Sequence, residues 1–88
     1  MPHAFHPADI VRIARLEATQ RDVDGTAHPP PQPRVGEKGK IVVEVESGVY
    51  LVERSTDDGH TVWLAEFLGM ELELVERRDD MTDLRPPS

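Results

Sequence analysis

Val35-Gly36-Glu37-Lys38-Gly39-Lys40-Ile41-Val42-Val43-Glu44-Val45 holds the strongest strand signal in this chain. A loop with two glycines tips straight into a β-branched run whose apolar residues alternate. Gly36 and Gly39 permit backbone angles closed to other residues, so a turn feeding a strand is predicted. The period of two puts Ile41, Val43 and Val45 on one face and Lys40, Val42, Glu44 and Glu46 on the other. The stretch is scaffold. It carries no chemistry of its own.

Working outward toward the C-terminus, the next elements follow in quick succession. Ser47-Gly48 is a tight hairpin signal. Val49-Tyr50-Leu51-Val52-Glu53-Arg54 is a second strand, apolar on both faces at its start. Asp57-Asp58-Gly59 marks a second hairpin. Thr61 to Phe67 is a third strand, with Trp63, Ala65 and Phe67 on one face and Val62 and Leu64 on the other. Gly69-Met70-Glu71 reads as a short 3₁₀ turn and Leu72-Glu73-Leu74-Val75 as a closing strand. Residues from Arg77 onward, rich in Asp and Pro, are expected to be a disordered tail.

Toward the N-terminus the pattern is ambiguous. In Asp9-Ile10-Val11-Arg12-Ile13-Ala14-Arg15-Leu16, helical spacing gathers Ile10, Ile13, Ala14 and Glu17 into a stripe, with Pro7 and Asp9 suited to a first turn. Strand spacing sets Val11 and Ile13 against Ile10, Arg12 and Ala14, whereas the Ala, Arg, Leu, Glu and Gln that follow favour the helix. Residues 17–34 form a long connector, with a turn signature at Asp22-Val23-Asp24-Gly25-Thr26 and a polyproline stretch, Pro29-Pro30-Pro31-Gln32-Pro33. A connector that long is either functional or draped over the domain.

Eighty-eight residues make one small domain. With no cysteine, disulfides and thiolate metal sites are both excluded. No run approaches the ~20 apolar residues that span a bilayer. The opening Met1-Pro2-His3-Ala4-Phe5-His6-Pro7 lacks the basic start and apolar core of a secretion signal, so a cytoplasmic location in a bacterium-like setting is expected. Charge is uneven: residues 1–40 balance to +1 and residues 41–88 to −8, together the −7 of the chain. The acidic half would repel phosphate backbones and suits a partner with a basic patch. Four or five short strands are too few for a sandwich in this length, whereas a small barrel removes the exposed strand edges.

Asp9-Ile10-Val11, the Val35–Val45 stretch, Val49-Tyr50-Leu51-Val52-Glu53, Asp58-Gly59 and Glu71-Leu72-Glu73-Leu74 occur in an order that resembles SH3-like barrels of the electron-transport-accessory type. That group includes the C-terminal barrel of the nitrile hydratase beta subunit, the variable chain of ferredoxin–thioredoxin reductase and small stand-alone bacterial proteins. His28-Pro29 with the proline loop looks like their long first loop. The likeness covers residues 9–76 and decides the ambiguous segment in favour of a strand. It implies an all-β, partly open SH3-like barrel of about five short strands with a long first loop. The parts are an arm at 1–8, the barrel at 9–77 with its loop at 17–34, and a tail at 78–88. It also implies a non-catalytic accessory role beside another protein: a metalloenzyme subunit, a reductase or a toxin. No catalytic residue carries over, and no cofactor is implied for the barrel itself.

The side chains themselves offer little chemistry. His3 and His6 stand three apart on an arm, and His28 and His60 are remote in sequence; loose surface histidines are the simpler reading than a metal site, which needs three or four rigid ligands. Glu44, Glu46, Glu53, Asp57, Asp58, Glu66, Glu71 and Glu73 read as solvated surface, not as a catalytic pair. Ser47, Ser55 and Ser88 lack an adjacent base or elbow glycines. Trp63 and Tyr50 read as core, and Phe5 as an arm residue freer to meet a partner. The proline stretch is a stiff loop and a credible binding edge, and Arg12, Arg15, Arg21 and Arg34 provide basic character. His28, Pro31, Arg34 and Trp63 are the candidate partner-binding residues. A nucleic-acid barrel of the KOW or Tudor kind is the alternative, since Lys38-Gly39-Lys40-Ile41-Val42 resembles the KOW turn, although Glu37, Glu44 and Glu46 flank it.

Overall fold

In the computed structural model, which describes residues 5–18 and 20–77, five antiparallel strands form one curled sheet. They are β1 (Ile10–Ile13), β2 (Lys38–Glu46), β3 (Val49–Ser55), β4 (Thr61–Leu68) and β5 (Leu72–Glu76), with a 3₁₀ turn at Gly69–Glu71 before β5. The spatial order is β4-β3-β2-β1-β5. This is an all-β, small, partly open barrel, with β2, β3 and β4 as a sequential meander and β1 and β5 continuing the sheet beyond β2.

The ambiguous N-terminal segment is a strand. Val11 and Ile13 turn inward, while Ile10 and Arg12 are half-buried. Helix propensity loses here because β1 sits between two partners, pairing Val11 with Gly39 of β2 and Val11 with Leu74 of β5. A central strand fills both rows of its backbone hydrogen bonds, which a short isolated helix with one apolar stripe cannot match.

The core holds Val11, Ile13, Ile41, Tyr50, Val52, Trp63, Ala65, Phe67 and Leu72, together with Phe5. Phe5 departs from expectation. It is buried, edge-on to Tyr50 with ring centroids 5.2 Å apart, and its N–H lies 3.3 Å from the Tyr50 hydroxyl as donor. The end of the arm is therefore a plug for the barrel. A turn delivers it, with Asp9 N–H donating to the His6 carbonyl at 3.0 Å and Ala8 at φ 76°.

The alternation predicted for β2 holds only up to Ile41. Ile41 pairs with Val52, but Val43 pairs with Leu51 and Glu46 with Val49, leaving Val42 and Val45 as extra residues. Each extra residue is a β-bulge, and a one-residue insertion moves everything beyond it to the opposite face. Val43 and Val45, expected inside, are therefore 42% and 43% exposed. Val62 in β4 and Val75 in β5 are skipped in the same way. Bulges at these points let a short sheet curl enough to close around one core.

The two glycines of the Val35–Val45 stretch do different jobs. Gly36 has φ +96° in a turn closed by Glu37 N–H to the Arg34 carbonyl at 3.1 Å. Gly39 needs no unusual angle. A Cβ there would stand 2.7 Å from Val52 Cγ1, 2.9 Å from the Glu53 carbonyl oxygen and 3.2 Å from the Trp63 ring. Gly39 is a close-approach residue, present so that β2 can cross over β3 and the indole.

Candidate functional site

The loop at 17–34 is fixed to the barrel by a hub at Glu71. Its carbonyl accepts from the Ala14 N–H at 2.8 Å. Its carboxylate accepts from Glu17 N–H at 2.7 Å, Leu68 N–H at 2.8 Å and two guanidinium nitrogens of Arg21 at 2.7 and 3.1 Å. Arg21 also donates to the Ala18 and Glu66 carbonyls and lies 4.5 Å over the Phe67 ring. Glu71 is only 1% exposed. Burial alone would push its carboxyl up; the Arg21 side chain, the Glu17 and Leu68 N–H groups and the guanidinium charge outweigh that and hold it below the ordinary carboxylate range. Glu71 and Arg21, read from sequence as solvated surface and basic face, are instead a buried ion pair. Sequence spacing of 50 residues hides such a pair.

Further out, Gln32 clamps the two limbs of the loop by exchanging hydrogen bonds with the Arg21 backbone at 3.1 and 3.0 Å. Asp24 bridges the free edge of β4 at Leu64, and Thr26 N–H reaches the Thr61 carbonyl at 2.9 Å. The loop thus covers an edge that would otherwise template pairing with another strand. A second buried carboxylate, Asp9, receives His6 N–H at 2.8 Å and the Arg77 guanidinium at 2.9 Å. Both buried carboxylates of the described core, Asp9 and Glu71, are committed to holding chain segments in place.

The four candidate contact residues do not come together. Trp63 is wholly buried; its indole N–H donates to Glu37 Oε1 at 3.0 Å and its ring lies 5.5 Å from that of Phe67. It shapes the core and presents no surface. His28, Pro31 and Arg34 lie exposed on the returning limb of the loop, where Pro33 turns inward and the His28–Pro29 peptide is cis. All four aromatic residues, Phe5, Tyr50, Trp63 and Phe67, face the interior. Among the described residues no three His, Asp or Glu side chains gather where they could hold a metal ion, and no helix is long and apolar enough to cross a membrane.

A groove of about 880 Å³ lies between the outgoing limb of the loop and the solvent face of β3 and β4. Its floor includes Val49, Leu51, Leu64 and Leu68. The pairings Val49–Leu68, Leu51–Glu66 and Glu53–Leu64 put these side chains on one outward surface. Carboxylates ring it: Glu17, Asp22, Asp24, Glu46 and Glu66. The one cation in the lining, Arg21, is already taken by Glu71. None of these residues stands in a recognisable site motif in the sequence. The available signal was the double-sided apolar start of β3, which places Val49 and Leu51 on a solvent face where alternation calls for polar residues. Comparison of the chain with protein families, curated proteins and solved structures finds no match in any of the three.

Proposed function

We propose that this protein is a non-catalytic barrel that binds another protein, as an accessory subunit or a small regulator. The observation that carries the reading is the apolar outer face of the β2-β3-β4 meander. Val43, Val45 and Leu68 are each more than 40% exposed there, beside half-buried Val49, Leu51 and Leu64. Contiguous exposed apolar surface of this kind marks interaction sites. Two further points support the reading. The two buried carboxylates are spent on structure, and the aromatic residues are turned inward, away from any stacking platform for bases. The likeness of residues 9–76 to accessory barrels fits the same role, with a metalloenzyme subunit, a reductase or a toxin as the partner class. His28, Pro31 and Arg34 form a second exposed edge available to that partner.

The test is affinity capture of the full chain in extract of its native host at gentle salt, followed by mass spectrometry. One protein recovered in near-stoichiometric amount supports the proposal. Recovery of the bait alone overturns it. Arg34→Ala should weaken capture if the loop edge takes part, with no change in thermal stability beyond about 0.5 kcal/mol, as for an exposed side chain.

A further inference from the structure

We infer that the groove between residues 17–18 and 21–24 on one side and the outer face of β3 and β4 on the other receives a cationic, apolar segment of a partner protein, one in which Lys or Arg side chains alternate with aliphatic ones. This rests on the protein-binding reading and specifies its partner.

Charge and shape select the occupant. The floor of Val49, Leu51, Leu64 and Leu68 is aliphatic and continuous with Val43 across the Val43–Leu51 pair. The rim carries Glu17, Asp22, Asp24, Glu46 and Glu66. Arg15 partly offsets Glu17 through an ion pair at 2.8 Å, but Arg21, the cation inside the groove, is consumed by Glu71 at 2.7 Å. A ligand that buries its aliphatic side chains on this floor therefore brings its flanking groups against unneutralised carboxylates. Cationic flanks gain; anionic flanks are repelled. The same argument disfavours a second copy of this chain, which bears −7 overall and would set one acidic rim against another. It also disfavours nucleic acid.

The rigidity of the groove supports a docking role. Its outer wall is the loop limb that Glu71, Gln32 and Asp24 hold at three separate places. A wall fixed before binding costs little ordering on association. The width is also set, because Arg21 and Asp24 fasten the wall to the Glu66 and Leu64 backbone at the edge of β4.

The test uses the full chain labelled with ¹⁵N and two capped peptides of about ten residues, the length of a long strand: one alternating Lys and Val, the other Lys and Ser. The Lys–Val peptide should shift the amides of Val49, Leu51, Leu64 and Glu66, and should bind about tenfold more tightly than the Lys–Ser peptide. Raising salt from about 50 to about 300 mM should weaken it several-fold. Glu66→Lys should reduce affinity about tenfold, whereas Asp57→Lys, the same charge change on the far β3–β4 hairpin, should reduce it less than about twofold. Equal binding of the two peptides, or equal effects of the two substitutions, would reduce the interaction to net charge and overturn the groove. So would the absence of binding, or concentration-dependent shifts of the same amides without peptide, which would assign the face to a second copy. A partner captured equally by the natural chain and by Glu66→Lys would sink the groove while leaving the protein-binding reading intact.

Discussion

Ala8 and Gly39 show how single residues are constrained by backbone shape in one case and by space in the other. Ala8 holds φ 76° in the turn that leads Phe5 into the barrel, a left-handed conformation in which a Cβ is crowded. Ala8→Gly relieves that crowding and should stabilise by about 0.5–1 kcal/mol, seen as a higher urea midpoint at unchanged slope. Gly39→Ala should do the reverse. The new methyl meets the Glu53 carbonyl at 2.9 Å, and backbone cannot step aside as a side-chain tip can. A loss of about 1–3 kcal/mol is expected, read from the same denaturation curve. If Gly39→Ala were neutral, the close packing of β2 on β3 and Trp63 would not be what fixes this residue. Sequence alone marks both glycines of the Val35–Val45 stretch as breakers. It does not tell which serves an angle and which serves a gap.

Loop 17–34 is an element without regular secondary structure, and a buried ion pair gives it its definition. Arg21→Ala removes both guanidinium bonds to Glu71 and strands a carboxylate that is 1% exposed, so a loss of about 3–5 kcal/mol is expected. Amide exchange should accelerate first at Arg21 and Asp24, before β3 is affected. Acid acts on the same pair. The folded-state pKa of Glu71 lies below its ordinary value, so the unfolded chain binds the proton more readily. The contribution is complete above the ordinary carboxylate pKa and fades as pH falls through the lower native value. Comparison with Glu71→Gln across an acid titration should therefore show a stability difference that is widest near neutrality and narrows with acidification. The exposed Asp58, on the β3–β4 hairpin, is also held low, chiefly by the Thr56 hydroxyl and next by the His60 side chain. The N-terminal arm is likewise structural. Phe5→Ala should cost about 3 kcal/mol through the space left beside Tyr50, a large share of what a domain this small possesses.

At the scale of the whole molecule, net charge and exposed apolar surface oppose one another. The −7 charge keeps copies apart while Val43, Val45 and Leu68 invite contact. The sequence pI is near 4.9, where that repulsion vanishes. Sedimentation at pH 7.5 should give a monomer, and self-association should set in as pH approaches 4.9. Replacing Val43 with Lys should suppress it. Association at neutral pH that is insensitive to Val43→Lys would show that this face is not the sticky one.

Short-range sequence signals suffice for β2 to β5, the hairpin at Ser47-Gly48, the turn at Asp57-Asp58-Gly59, the 3₁₀ turn at Gly69–Glu71 and the inward face of Trp63, Ala65 and Phe67. These features are set by neighbours a few residues apart, through turn chemistry and a side-chain period of two. Residues 10–13 lie at the limit of that information, because helix and strand spacing both fit and the choice depends on two partner strands. Where β2 changes face depends on long-range pairing, since the bulges at Val42 and Val45 are defined by register against β3. Only the closed barrel joins Arg21 to Glu71, Phe5 to Tyr50, and the acidic loop to the aliphatic face of the meander. Each of these joins residues far apart in the chain. Their energies come from desolvation and from approaches of a few ångströms, and neither exists until the barrel has closed.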